Sequence, residues 1–260
     1  MNYNLPFIPE RPSKPRQKGL TMVMDKGLSI NEVENLISSS GSLIDLAKIG
    51  FGTSYLNTNL KEKIKLYKQN NIIPYLGGTL FEVFYVRGMV DEYKKLIDEY
   101  NLDLVEISDG CMNIPHEEKL KLINNFAKNK IVISEVGSKD SEVIIEDDEW
   151  TNMMQKELKE GSWKVIAEAR ESGNVGIYQN NGKANCSLID NIITKISIDD
   201  IIWEAPAKAQ QTWFIKYLGA NVNLGNISSN EVIALETLRL GLRGDTFFDF
   251  LPEEIKNKYK

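Results

Sequence analysis

Short runs of β-branched and other apolar residues alternate along the chain with longer stretches whose apolar positions recur every three or four residues. The runs are Leu20–Met24, Leu43–Ile49, Ile72–Leu76, Leu104–Ile107, Ile131–Val136, Lys164–Ala169, Ile201–Ala205 and Asn221–Leu224. Their mean spacing of roughly 27 residues suits one strand plus one crossover helix. Amphipathic stretches fill the intervals: Asn31–Ser40, Asn59–Gln69, Val90–Tyr100, His116–Lys128, Asp148–Glu160, Ala184–Lys195, Ala207–Tyr217 and Ser229–Leu240, the last with Ser228 or Ser229 as its N-cap. Strand–helix alternation predicts a parallel sheet, and eight units predict closure into a (β/α)8 TIM barrel. An open doubly wound sheet is the rival; the lack of a G-x-G-x-x-G after the first strand weighs against it. No linker or low-complexity block interrupts the pattern, so a single α/β domain is expected over 20–245. A Pro- and Arg/Lys-rich strap over 1–19 precedes it at the barrel floor, and a helical tail over 246–260 follows.

In such a barrel the outer strand face lies under helices, so a charge flanked by apolar neighbours must face the lumen. This rule selects Glu106 between Val105 and Ile107, Glu135 before Val136, Glu168 between Ala167 and Ala169, and Glu204 between Trp203 and Ala205. Strands four to seven thus each carry one glutamate at a similar height, and Asp25 ends the first strand. One buried acid reads as the partner of a lysine or as a loop cap. Four on neighbouring strands repel one another in a low dielectric and call for cations among them. Mg²⁺ is one answer, because hard cations take oxygen ligands. Lys26, Lys48, Lys139 and Arg170, all at or beyond strand ends, are another. The same ends carry small-residue loops, among them Gly50-Phe51-Gly52, Gly77-Gly78-Thr79, Gly137-Ser138 and Gly225-Asn226. Glycine there lets backbone N–H groups approach an anion.

Composition narrows the class of partner. The formal net charge of −6 excludes nucleic acid as the main partner, since phosphate backbones want a basic surface. A small anion is still allowed, because it responds to a local cationic cluster. No apolar run approaches the roughly 20 residues of a membrane span, and the polar start does not read as a secretory signal. Cys111 and Cys186 have no metal or redox spacing and read as free thiols of a cytoplasmic protein. The single His116 opens a helix, which leaves no His-based triad, and the four tryptophans read as packing residues.

Several of these segments are familiar as a series. Gly19-Leu20-Thr21-Met22-Val23 with Asp25-Lys26-Gly27, Lys48-Ile49-Gly50-Phe51-Gly52-Thr53-Ser54 and Gly77-Gly78-Thr79-Leu80-Phe81-Glu82 resemble the phosphosulfolactate synthase family. So do Val105-Glu106-Ile107-Ser108-Asp109-Gly110, Glu135-Val136-Gly137-Ser138-Lys139-Asp140 and Glu168-Ala169-Arg170-Glu171-Ser172-Gly173. The resemblance implies a (β/α)8 barrel, commonly oligomeric, that adds sulfite to phosphoenolpyruvate with Mg²⁺. The product is (2R)-phospho-3-sulfolactate, which opens coenzyme M synthesis in methanogens. It implies Lys139 as the acid that protonates an aci-carboxylate intermediate, and Glu106, Glu135 and Glu168 as metal ligands, with Asp25 and Glu204 in reserve. Lys26, Lys48, Ser138 and Arg170, with the backbone at Gly225 and Asn226, would hold phosphate and sulfite. A plant branch associated with heat tolerance shares the sequence pattern, so a non-enzymatic homologue is one alternative. A Schiff-base aldolase on the same scaffold is another; its lysine belongs on the sixth strand, where the lumen positions hold Glu168 and Arg170 and where Lys164 sits at the wrong end.

Overall fold

The apolar runs become eight parallel strands, nearly every residue of which is buried. They are seen in a computed structural model that describes residues 3–138, 145–170 and 172–260. The strands are β1 (Thr21–Asp25), β2 (Leu46–Ile49), β3 (Ile73–Leu76), β4 (Leu104–Ile107), β5 (Ile131–Val136), β6 (Ser162–Ala167), β7 (Ile201–Glu204) and β8 (Leu224–Ser228). Helices pack outside them: α1 (Ile30–Ser40), α2 (Leu60–Gln69), α3 (Gly78–Tyr85), α4 (Val90–Glu99), α5 (His116–Ala127), α6 (Asp147–Lys159), α7 (Cys186–Lys195), α8 (Lys208–Leu218) and α9 (Val232–Arg239). A final helix, α10 (Glu253–Tyr259), ends the chain. The hydrogen-bonded order β3-β2-β1-β8-β7-β6-β5-β4 runs around a barrel whose β3 and β4 edges meet without a ladder.

Alternation along the strands divides the core in two. Leu20, Met22, Leu46, Tyr75, Leu104, Ile133, Ile166 and Ile202 fill the lumen. Residues of the opposite parity, such as Val23, Ala47, Val165 and Trp203, pack outward against helices. Trp203 stacks on Phe214 of α8 at 5.1 Å between ring centroids. Its neighbour Glu204 therefore has to point inward, as the sequence parity requires.

Two of the departures from the sequence expectation bear on the site. The eighth strand was expected at Asn221–Leu224 and lies at Leu224–Ser228. Asn223 instead closes the floor, accepting a hydrogen bond from Leu20 N and donating to the carbonyls of Asp199 and Ile201. Gly225-Asn226, read as a loop after the strand, is inside it as a bulge: Thr21 pairs with Leu224 and Val23 with Ile227, so β8 carries one extra residue, and Asn226 sits at φ 56°. The second difference is α3. Gly77-Gly78-Thr79 reads as a turn, yet Gly77 is an N-cap and Gly78 begins a helix. A Cβ on Gly78 would run into Ser108 and the Glu106 carboxylate, so glycine is what lets the helix start this close to β4.

The N-terminal segment runs along the floor. Arg16 pairs with Asp45 at 3.1 Å, Lys14 donates to the carbonyls of Gly41 and Asn71, and Arg11 pairs with Glu236 of α9 at 2.9 Å. Among the described residues, no helix is long and apolar enough to cross a membrane.

Candidate active site

At the C-terminal ends of the strands a cavity of ≈ 630 Å³ opens, and each of the eight strands contributes to its wall through its last residues or the segment that follows. Glu135 and Glu204 line it from β5 and β7, Glu168 from just past β6 and Lys48 from β2, with Lys26, Arg170 and Asn226 also in the wall. Directly beneath lies the apolar lumen layer, so the charged groups rest on a low-dielectric floor.

The carboxylates converge. One oxygen each from Glu135, Glu168 and Glu204 lies within 4.8 Å of the others, and all three residues are buried. Three oxygen donors so close together match what a divalent cation such as Mg²⁺ needs from protein, with further positions left to water or substrate. Glu204 is also oriented from behind, its Oε2 accepting from the backbone N–H of Ala169 at 2.9 Å. Such a contact fixes the rotamer of a prospective ligand.

Lys48 occupies the centre of the row. Its ammonium is 3.0 Å from Glu106, 3.1 Å from Glu135 and 3.4 Å from Glu204. Complete burial opposes the charge, but the carboxylates of Glu106, Glu135 and Glu204 outweigh it and hold the lysine well above its ordinary range. Glu106 is shared between Lys48 and the start of α3, whose Gly78 N–H donates to Oε1 at 2.6 Å. That bond bridges the β3–β4 seam where the sheet has no ladder.

The other sequence candidates fall in distinct places. Lys26 and Arg170 are exposed at the cavity wall, with the Lys26 ammonium 5.6 Å from the centre of the Phe51 ring. The Asn226 side-chain amide faces the carbonyl of Ala169 at 3.5 Å. Gly225 is buried below the cavity, where a Cβ would collide with Met22 and press on Ile202. Ser138 is half-buried just past β5. Asp25 is turned away from the carboxylate row: it pairs with Lys63 and Tyr67 of α2 at 3.0 Å and accepts from the N–H groups of Gly27 and Leu28 at 2.8 Å. It thereby organises the loop that carries Lys26. Lys139 lies outside the described residues. Lys164, the lysine of β6, is at the opposite end of that strand and 3.6 Å from Asp200, away from the cavity.

Sequence reasoning overlooked a second charged cluster behind the site. Lys119 of α5 is fully buried, 2.8 Å from both Asp109 and Glu157 and 2.6 Å from the backbone oxygen of Glu135. The signal was present: Lys119, Ile123 and Phe126 share one buried helix face, as do Lys63, Ile64 and Tyr67 on α2. A charge on an apolar stripe is a buried charge.

Comparison with known proteins agrees with this architecture. The model of the (2R)-phospho-3-sulfolactate synthase (ComA) family matches residues 9–245. A phosphosulfolactate synthase of Bacillus subtilis (strain 168) is 40% identical over 244 residues, which is 93% of this chain and 97% of that protein. One from Methanothermobacter thermautotrophicus is 41% identical over 246 residues, covering 92% and 95% respectively. Among solved structures, 3-hexulose-6-phosphate synthase from Salmonella typhimurium superposes with a TM-score of 0.56 at 11% identity over 86% of this chain and all of that one. At that identity the likeness concerns the fold alone.

Proposed function

The chain belongs to the (2R)-phospho-3-sulfolactate synthase family, a family of enzymes, and from that premise we propose that it joins sulfite to phosphoenolpyruvate to give (2R)-phospho-3-sulfolactate. The observation that carries the proposal is identity of 40–41% over nearly the full length of synthases from a bacterium and a methanogen. The cavity supports it independently, because it pairs a carboxylate cluster with cationic side chains at the mouth.

The sulfur lone pair attacks C3 of the enol ester, forming the C–S bond, while the π electrons move onto the carboxylate as an aci-carboxylate. A proton delivered to C2 restores the carboxylate and sets the configuration. In this reading Glu135, Glu168 and Glu204 hold Mg²⁺, with Glu106 beside them on the Lys48 side of the row. The ion, when bound, supplies positive charge near the substrate carboxylate, where negative charge builds. Lys48 keeps neighbouring carboxylates from repelling one another, a different task from the anion binding first expected of it. Binding of phosphate and sulfite falls to Lys26 and Arg170, which are exposed at the cavity wall and carry the positive charge that two anions call for. Asn226, in the same cavity wall, adds a neutral group. Lys139, the lysine of the Glu-Val-Gly-Ser-Lys sequence that resembles the family's motif, is the proton donor.

The test is direct. Protein, phosphoenolpyruvate, sulfite and Mg²⁺ are incubated and followed by ³¹P and ¹H NMR. A new phosphorylated sulfonate whose formation stops on EDTA treatment is the expected result. Unchanged phosphoenolpyruvate would sink the assignment, and full rate after exhaustive EDTA would remove the metal from it.

A further inference from the structure

β5 outlasts β4. The last residue of β4, Ile107, pairs with Ser134, and β5 continues through Glu135 and Val136. On the β6 side this extension is covered, since Val136 O accepts from Glu168 N at 3.0 Å. Strand carbonyls alternate between the two edges, so Glu135 O, one residue earlier, faces the side on which β4 has already stopped. A donor from outside the sheet reaches it, the ammonium of Lys119 at 2.6 Å.

Everything around that ammonium is arranged to keep it there. Lys119 is fully buried, and an ammonium has three protons to place. Asp109, just past β4, accepts a hydrogen bond from it at 2.8 Å, and Glu157, buried on α6, is its ion-pair partner at the same distance. Burial opposes the charge on Lys119, but Glu157 and Asp109 overcome it and raise the lysine above its ordinary range. Burial likewise opposes the charge on Glu157, and Lys119 overcomes it, with His116 adding a contact at 3.4 Å. Welding α5 to α6 would need only the Lys119–Glu157 pair. The contact to Glu135 O does something further, because that peptide carries a carboxylate of the proposed cation site.

We propose that Lys119 is a positioning residue for Glu135, supplying the hydrogen-bond donor that β4 is too short to give and so holding the Glu135 carboxylate in register with Glu168 and Glu204. The proposal rests on the reading of those three as a cation site. Groups behind a metal ligand typically change affinity about 10- to 100-fold when removed.

Removing Lys119 alone would strand Glu157 in the interior, so the test removes both. In Lys119→Met/Glu157→Met the buried pair becomes an apolar pair of similar volume, an exchange that is often neutral for folding. Mn²⁺ is titrated into parent and variant and free Mn²⁺ is read by EPR, with thermal unfolding recorded on the same samples. The expected result is a melting temperature near the parent's and Mn²⁺ affinity lower by about tenfold. Equal affinity in the two proteins overturns the proposal. If the double variant does not fold, Lys119→Met/Glu157→Gln, which removes the donor and neutralises the carboxylate it leaves behind, takes its place: several-fold weaker Mn²⁺ binding is expected, and unchanged binding overturns the proposal. Glu168→Gln separates the two layers of inference. Should it leave Mn²⁺ binding intact, the cation-site reading fails and this proposal with it; should it abolish binding while the Lys119 variants match the parent, only the positioning role fails.

Discussion

Lys48 is the residue on which the charge balance of the barrel mouth turns. Its three carboxylate partners come from β4, β5 and β7, and removing the ammonium leaves them crowded over an apolar lumen. Lys48→Met is therefore expected to cost about 3–5 kcal/mol of stability, the range for breaking one side of a buried ion pair. The pH dependence follows from the direction of its shift. Lys48 is held above its ordinary value, so its contribution is complete below the unfolded-chain value of about 10.4 and fades only as pH climbs past that toward its folded value. Denaturant titrations should show a nearly constant gap between parent and Lys48→Met from about pH 6 to 9; a gap that closes within that window would contradict the assignment of Lys48 as a charged keystone. Lys139→Ala addresses the chemistry. It should abolish sulfonate formation while phosphoenolpyruvate still binds by calorimetry, and near-normal turnover would remove Lys139 as the acid. At this scale the sequence was informative wherever a charge sat between two apolar strand residues, because parity leaves such a side chain no direction but inward. It was uninformative about Asp25, which ends its strand and turns instead to Lys63 and Tyr67. Partners on another element leave no mark in the local pattern.

Among the elements, the strands were legible from their apolar runs and the departures cluster where glycine or asparagine has two physical uses. Gly-Asn in the run-up to α9 reads as a turn, and both residues do tolerate left-handed backbone. Here that tolerance serves a bulge, with Asn226 at φ 56° and the β1 pairing resuming at Ile227. Gly77-Gly78 likewise reads as punctuation, whereas Gly78 is small because α3 starts against Glu106 and Ser108. The helical stripes held a subtler signal, since Lys63 and Lys119 occupy the positions apolar residues should fill. Gly78→Ala tests the element-level account. A helix interior ordinarily favours alanine over glycine by roughly 0.5–1 kcal/mol. At this position the new methyl would displace the Glu106 carboxylate and Ser108, so overpacking should prevail and destabilise the protein by about 1–3 kcal/mol. The substitution also loosens the Gly78–Glu106 hydrogen bond across the β3–β4 seam, so Mn²⁺ binding should weaken together with stability. A Gly78→Ala protein more stable than its parent would show that the seam has room.

The molecule as a whole separates its two ends. The cavity opens at the C-terminal ends of the strands, whereas Arg11, Lys14 and Arg16 grip the opposite end through Glu236, Asp45 and the carbonyls of Gly41 and Asn71. Barrels of this class place chemistry at the first end and stability at the second. Arg11 is the strongest handle on that division, because it joins the N-terminal segment to α9 through Glu236 and to the head of β1 through Gly19 O, both at 2.9 Å. Arg239 complicates the cost. It is fully buried at the same end, donating to the carbonyls of Ala220 and Val222, and burial with the nearby charge of Arg11 lowers it to about 9. Removing Arg11 relieves that repulsion while leaving Glu236 within 4.0 Å of Arg239. The loss in Arg11→Ala should then fall below that for an isolated buried pair, at about 2–3 kcal/mol. For a chain of this size that is a drop of about 5–10 °C in melting temperature. A strand of about five residues spans roughly 17 Å, so the carboxylate row stands that far from the change. Below the lowered melting point kcat/KM should stay within about twofold of the parent, since that ratio reports only the contacts made to the transition state. A large fall in kcat/KM with no change in melting temperature would mean that the floor and the mouth are coupled, and that the N-terminal segment does more than hold the barrel closed.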